Sequence, residues 1–271
     1  MKDIRIALVV CRSPVGALQD NLERTAAWCE IAKQKGAAIA CFPELNISGY
    51  SVRDDIRRAA EPIPGPAAKF LEQQAQRLGI VILAGLAEQN AEGRIFASHL
   101  VAGPTGIMGV YRKLHLAPAE QPVYAYGERI PLFEVAGLRF GIQLCYDAHF
   151  PELTTHMALK GADLIFMPHA SPRRGSSQAK LTSWLRHLTA RAFDNGLFVV
   201  ACNQVGDNQN GLQFPGVAVA IDPMGKVMQE YAGPTEKILI VDLSAAELEG
   251  VRNHRMKYFL PNRRTEMYEL Q

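Results

Sequence analysis

The sequence has no excess of charge of either sign: 29 Lys+Arg face 27 Asp+Glu across 271 residues, a formal net charge of +2. A nucleic-acid binder usually shows a basic excess or basic runs, so that class is set aside. Apolar runs are short as well, and a stretch such as Leu197 to Cys202 falls far below the ~18 residues that suggest a membrane span. Lys2, Asp3 and Arg5 border only a brief apolar stretch, Ile6 to Val10, with no small-residue cleavage pattern behind it. No secretory signal is expected. Cysteine is sparse and unpatterned: Cys11, Cys29, Cys41, Cys145 and Cys202 are odd in number and include no Cys-x-x-Cys pair. They read as free thiols of a cytoplasmic protein. Also missing are a Gly-x-x-x-x-Gly-Lys-Ser/Thr phosphate loop, a His-Glu-x-x-His pair and a Gly-x-Ser-x-Gly elbow. The seven histidines, His149, His156 and His169 among them, lack paired metal-ligand spacing. Neither a metal nor an organic cofactor is expected.

What is present is a globular composition, 48% hydrophobic and 21% charged, too apolar for a disordered chain. Short β-branched and apolar runs alternate with helical stretches, the pattern of an α/β protein. The first half reads as strand Ile4 to Val10, helix Gln19 to Lys35, strand Ala38 to Phe42 and helix Ala67 to Leu78. Strands Ile80 to Glu88, Arg94 to Val101 and Ile107 to Arg112 follow, the last two joined by the turn Gly103-Pro104-Thr105-Gly106. The second half repeats the order. Strand Arg139 to Leu144, helix Glu152 to Lys160, strand Leu164 to Met167 and helix Gln178 to Asp194 lead to strands Leu197 to Cys202, Gly216 to Ile221 and Lys226 to Glu230. Its tight turn is Asp222-Pro223-Met224-Gly225, and a last strand, Ile238 to Asp242, precedes a polar tail from Asn253. An internal duplication is expected, two similar sheets packed face to face with helices outside. Short linkers throughout predict a single domain over residues 1–271. Ala117 to Ile130 is the longest stretch without clear periodicity, a place where function often lies.

Of the cysteines, Cys145 has the most unusual setting. It ends a strand and opens Tyr146-Asp147-Ala148-His149-Phe150-Pro151-Glu152, which enters a helix through Pro151. Such strand-to-helix turns commonly hold nucleophiles, with the following backbone N–H groups facing a developing oxyanion. Cys11 also ends a strand but lacks a comparable set of neighbours, and Cys29, Cys41 and Cys202 sit in apolar surroundings as small packing residues. A thiol of pKa about 8.5 is only a few per cent ionised at neutral pH, so it needs a base and a cation. Glu44 and Lys113 follow two other strands, in Phe42-Pro43-Glu44-Leu45-Asn46-Ile47-Ser48-Gly49-Tyr50 and Tyr111-Arg112-Lys113-Leu114-His115. Taken singly, each reads first as a solvated turn residue or surface charge.

Together the three segments resemble the nitrilase superfamily of carbon-nitrogen hydrolases. The resemblance rests on Pro43-Glu44-Leu45 with Gly49-Tyr50, Tyr111-Arg112-Lys113-x-His115-Leu116, and Cys145-Tyr146-Asp147 with Phe150-Pro151-Glu152, in the family's order and spread over the chain. It implies Glu44 as general base, Lys113 as stabiliser of the transition state and Cys145 as nucleophile. It also implies a second active-site glutamate, which falls on Glu120, seven residues before Gly127; Glu128 fits less well. Trp184, Arg191, Ala192 and Asn195 match a helix pattern of the family that is more often structural. The fold implied is a four-layer α-β-β-α sandwich, associating through its outer helices into a homodimer or larger assembly. The chemistry implied is acyl transfer through a thioester, with the Tyr146 N–H beside Lys113 at the oxyanion, a small-molecule amide as substrate, and no cofactor, nucleic acid or membrane as partner.

Substrate choice is less defined. Many relatives place Arg four residues after the nucleophile, where this chain has His149, and a mostly neutral imidazole cannot make the bidentate fork that holds a carboxylate. His169 and Ala170 open the loop His169-Ala170-Ser171-Pro172, which leads to Arg173 and Arg174. These residues are further candidates for contact with substrate, although the two arginines read equally as solvated loop charges. True nitrilases would be expected to carry a longer C-terminal extension and a Trp-Glu-His run around the cysteine. With Cys145-Tyr146-Asp147 and an end at Gln271, an amidase is expected first. N-carbamoyl hydrolysis, nitrile hydrolysis and an inactive scaffold are the alternatives.

Overall fold

Alternation along the first strand sets the layering. In β1 (Ile4–Val10), Ile6, Leu8 and Val10 face one core while Ala7 and Val9 face another, and all five are fully buried. Burial of one such aliphatic side chain contributes about 1.5–3 kcal/mol, so a strand apolar on both faces is stable only between two covering layers. The first half continues with α1 (Leu18–Gln34), β2 (Ile39–Cys41), α2 (Pro66–Leu78), β3 (Val81–Gln89), β4 (Ile95–Gly103) and β5 (Gly106–Arg112). The second contains β6 (Phe133–Val135), β7 (Leu138–Ile142), α3 (Pro151–Leu159), β8 (Leu164–His169), α4 (Ser177–Asn195) and β9 (Phe198–Asn203). Then come β10 (Val205–Asp207), β11 (Gln213–Pro215), β12 (Val217–Ile221), β13 (Val227–Ala232), β14 (Lys237–Leu243) and α5 (Ala245–Arg252). The computed structural model describes residues 1–172 and 175–267.

The strand orders of the two sheets correspond place by place: β14-β1-β2-β3-β4-β5 in one and β6-β7-β8-β9-β12-β13 in the other. In each, three parallel strands are flanked by antiparallel ones on both sides. The sheets pack face to face through a core that joins Ile6, Leu8 and Leu83 to Phe166, Val200 and Val219. Helices α1 and α2 cover the first sheet and α3 and α4 the second, which completes the four-layer α-β-β-α sandwich.

Local chemistry fixes the helix ends that matter for the site. Pro151 opens α3 at a position whose N–H has no helical partner to lose. Ser176 caps α4 by accepting from the Ala179 N–H, and Gly196 ends it in the left-handed conformation. The expected strands and helices fall within a few residues of those observed. Several short elements had no reading, among them β6, the β10–β11 hairpin and α5. The strands are three residues each, too short for periodicity, and α5 has only eight residues, four of them exposed.

Candidate active site

Glu44, Lys113 and Cys145 lie just beyond the ends of β2, β5 and β7, so the first sheet supplies an acid and a cation and the second a thiol. The Lys113 ammonium is wholly buried and donates to Glu44 Oε1 at 2.7 Å and to Glu120 Oε1 at 2.8 Å. The remaining Glu44 oxygen accepts from the Ala170 N–H at 2.9 Å, and Gln204 Nε2 donates to the Glu44 carbonyl at 2.8 Å. Glu120 is held by the Tyr50 hydroxyl at 3.1 Å and the Ala117 N–H at 2.8 Å. Both carboxylates are therefore fixed by donors from several elements.

Charge and burial compete here. Burial pushes the Glu44 carboxyl up; Lys113 pulls it back, the Glu120 charge adds to the rise, and the group settles at about 7. Burial works against the Lys113 ammonium, but the two carboxylates outweigh it and its pKa lies above the ordinary value. The cation is permanent. Burial, then the Glu44 charge, hold the Cys145 thiol above its ordinary range, so the resting group is protonated.

Cys145 is the one cysteine with part of its surface exposed; the other four are buried. It also takes φ +44°, a left-handed conformation that a non-glycine residue adopts only where its surroundings require it. Asp147, fully buried two residues later, closes the turn by accepting from the Leu144 N–H at 2.9 Å. Arg191 of α4 ties down the far side of the turn, donating to the Ala148 and His149 carbonyls. Gly127 fixes Lys113 from behind: its N–H donates to the Lys113 carbonyl at 2.8 Å, and a Cβ there would lie 2.2 Å from the Arg112 carbonyl.

The other sequence candidates distribute around this centre. Tyr146 is half-buried, its ring meeting His149 and Phe150 edge-on. His149 is exposed and stacks on His187 of α4 at 4.7 Å; burial and then Arg191 lower its pKa, and His187 falls to about 4. His169 is buried, with Nδ1 against the Met167 carbonyl and its ring on Trp184, and burial keeps it neutral. Ala170 contributes a backbone N–H already committed to Glu44. Arg173 and Arg174 lie outside the described residues. Glu128 is exposed and stands apart from the Lys113 ammonium, whose carboxylate contacts are Glu44 and Glu120. Gln204 and Lys180 carried no signal as site residues, because an amide and a lysine without a motif are common everywhere, and Tyr50 stood in the Gly49-Tyr50 motif without a role assigned to it. Lys180 donates to Ser171 Oγ at 2.8 Å beside the Ala170 turn.

The structure is an α-β-β-α sandwich with a buried carboxylate-lysine cluster and, on the facing sheet, a partly exposed cysteine in a left-handed turn. The chain belongs to the carbon-nitrogen hydrolase family, whose model matches residues 5–253, and its activity is of that amidase-type class. It is 32% identical over 250 residues to an (R)-stereoselective amidase of a Pseudomonas species, covering 92% of this chain and 88% of that one. Among solved structures it is similar to the CN-hydrolase superfamily protein XC1258 from Xanthomonas campestris, which carries an arsenic adduct in its active site, with a TM-score of 0.88, 27% identity and full coverage of both chains. A variant of the amidase from Nesterenkonia sp. AN1, with acrylamide added at its active-site cysteine, gives a TM-score of 0.82 at 25% identity, covering 97% of this chain and 98% of that one.

Proposed function

We propose that the protein hydrolyses the carbon-nitrogen bond of a small linear amide through a thioester on Cys145. The observation that carries this reading is the Lys113 ammonium held between Glu44 and Glu120, with Glu44 poised at about 7. A base is most useful when its pKa lies near the working pH. Glu44 takes the thiol proton as Cys145 attacks the carbonyl; Lys113 and the Tyr146 N–H stabilise the oxyanion. Glu44 returns the proton to the departing nitrogen, and ammonia or an amine leaves. Water, deprotonated by Glu44, then attacks the thioester and releases the acid and the thiol. Glu120 keeps Lys113 in place and charged. Tyr146, His149 and His169 are the proposed surroundings of the acyl group, and Ala170 serves by orienting Glu44.

The adduct at the cysteine of the Nesterenkonia amidase supports the nucleophile. We further propose a single domain working in the cytoplasm, a compartment that five free thiols suit. We also propose a homodimer formed through α3 and α4, where Leu159 and Phe193 are exposed. Mass spectrometry of the intact protein after incubation with a mixed panel of amides, nitriles and N-carbamoyl compounds tests the reaction. A thioester adduct on Cys145 is expected, and its mass reports the acyl group. No adduct and no ammonia with any member of the panel would refute it.

A further inference from the structure

The carboxylate of Asp147 receives four donors in a fully buried position. Oδ2 accepts from the Tyr111 hydroxyl at 2.7 Å and the Leu144 N–H at 2.9 Å; Oδ1 accepts from the His115 N–H and the His115 Nδ1, both at 2.8 Å. The sequence positions of these donors are informative. Tyr111 and His115 stand two residues before and two after Lys113, while Leu144 directly precedes Cys145. One side chain thus grips the chain on both sides of the cation and bonds back to the backbone just before the thiol. Tyr111 belongs to β5 of the first sheet and the Cys145 turn follows β7 of the second. Asp147 bridges the two sheets at the place where their reacting groups meet.

Each donor is itself constrained. Tyr111 is fully buried, and burial, then the Asp147 charge, keep its phenol protonated. The His115 ring stacks on Phe150 at 3.9 Å, and Phe150 meets Tyr146 edge-on, so the ring that approaches Asp147 also packs against the nucleophile turn. A non-glycine residue at φ +44° persists only while its surroundings hold it there. The Asp147 bond to Leu144 N–H is the nearest side-chain constraint on the N-terminal side of Cys145.

We infer that Asp147 is a positioning residue, setting the location of Cys145 relative to Lys113 through Tyr111 and His115. This rests on the roles proposed for Cys145 and Lys113. Asparagine at the same site keeps the shape but turns one acceptor into an N–H donor, which would face donors already present. Removing a single donor, as in Tyr111→Phe or His115→Ala, loosens one side only.

The test measures, for Asp147→Asn, Tyr111→Phe, His115→Ala and the double variant of the last two, the rate of Cys145 alkylation by iodoacetamide from pH 5 to 9. Steady-state constants on an amide that acylates the wild type and the thermal midpoint are recorded alongside. Misplacement of reacting groups by about 1 Å costs on the order of 10²-fold, so Asp147→Asn is expected to lower kcat by roughly that factor with KM changed only a few-fold. The alkylation profile should move with it. Tyr111→Phe and His115→Ala should each lose about 10-fold, and their double variant should not be additive because both act on one carboxylate. Folded variants with wild-type alkylation and kcat would overturn the inference, as would losses that follow only the unfolded fraction. If Asp147→Asn does not fold, the two donor variants decide. If no amide acylates the wild type, the reaction proposed above fails, yet the alkylation series still reports whether Asp147 positions the thiol.

Discussion

Cys11 and Cys145 follow equivalent strands, β1 and β7, which hold the same place in the two corresponding sheets, but only Cys145 reaches the surface. Cys11 joins the core beneath α1 and α2 and is buried. Cys145 has the strained turn, the neighbouring Lys113 and the partial exposure that Cys11 lacks. Brief treatment of the folded protein with iodoacetamide is therefore expected to add one carbamidomethyl group, on Cys145. Peptide mapping that found comparable labelling of Cys11, Cys29, Cys41 or Cys202 would contradict the burial pattern. Cys145→Ala should abolish turnover.

Glu44 gives a pH signature of known sign. The folded protein holds this proton up to about 7, whereas the unfolded carboxyl has the ordinary value of 4.5. Its contribution to stability is thus fully present below 4.5 and is lost as the pH rises through about 7. Activity should run the other way, rising through about 7 as the base form appears. Glu44→Gln is expected to lose most activity and to flatten the stability slope between these values, measured as the wild-type minus variant difference in denaturant midpoint across pH.

Lys113→Met leaves Glu44 and Glu120 facing each other with no cation between them. Breaking a buried pair costs about 3–5 kcal/mol, so the denaturant midpoint should fall sharply along with activity. Adding Glu44→Gln should recover part of the stability and none of the turnover. A Lys113→Met protein as stable as wild type would show that the cluster is not charged as described.

Gly127→Ala drives a methyl group into the Arg112 carbonyl, whose separation from an added Cβ is 2.2 Å. The strand end carrying Lys113 must shift, and a loss of at least 10-fold in kcat is expected. Gly250→Ala in α5 meets nothing within 4 Å and should gain up to ~1 kcal/mol in stability with kcat unchanged.

The sequence revealed the layers because β1, β3, β8 and β9 are apolar along nearly their whole length, as strands buried on both faces must be. It also pointed to Glu44, Lys113, Cys145 and Glu120, which stand at strand ends or in the aperiodic stretch within matched motifs. The paired order of strands and helices already implied two related sheets. What it did not reveal were contacts between groups far apart in the chain. Gln204 reaches the Glu44 carbonyl across 160 residues, and the Ala170 N–H reaches its carboxylate across 126. The backbone donor at Ala170 has no side-chain signature at all. Tyr111 and Asp147 were visible as parts of motifs, but their mutual bond appears only once the two sheets are stacked.

The final strand has a consequence for how the repeat is phased. In the second sheet β6 leads into β7 through a hairpin, with Val135 opposite Leu138 and the turn at Ala136 and Gly137, both at positive φ. In the first sheet the equivalent neighbours, β14 and β1, pair with Leu243 opposite Ile4 and have no hairpin between them. The repeating unit therefore begins with an antiparallel edge strand. The second copy keeps that strand next to its own β7, while the first borrows it from more than two hundred residues away. A peptide bridge of hairpin length from Leu243 to Ile4 would restore the same phase to both copies, and a rearranged chain starting at β14 would read as two tandem repeats.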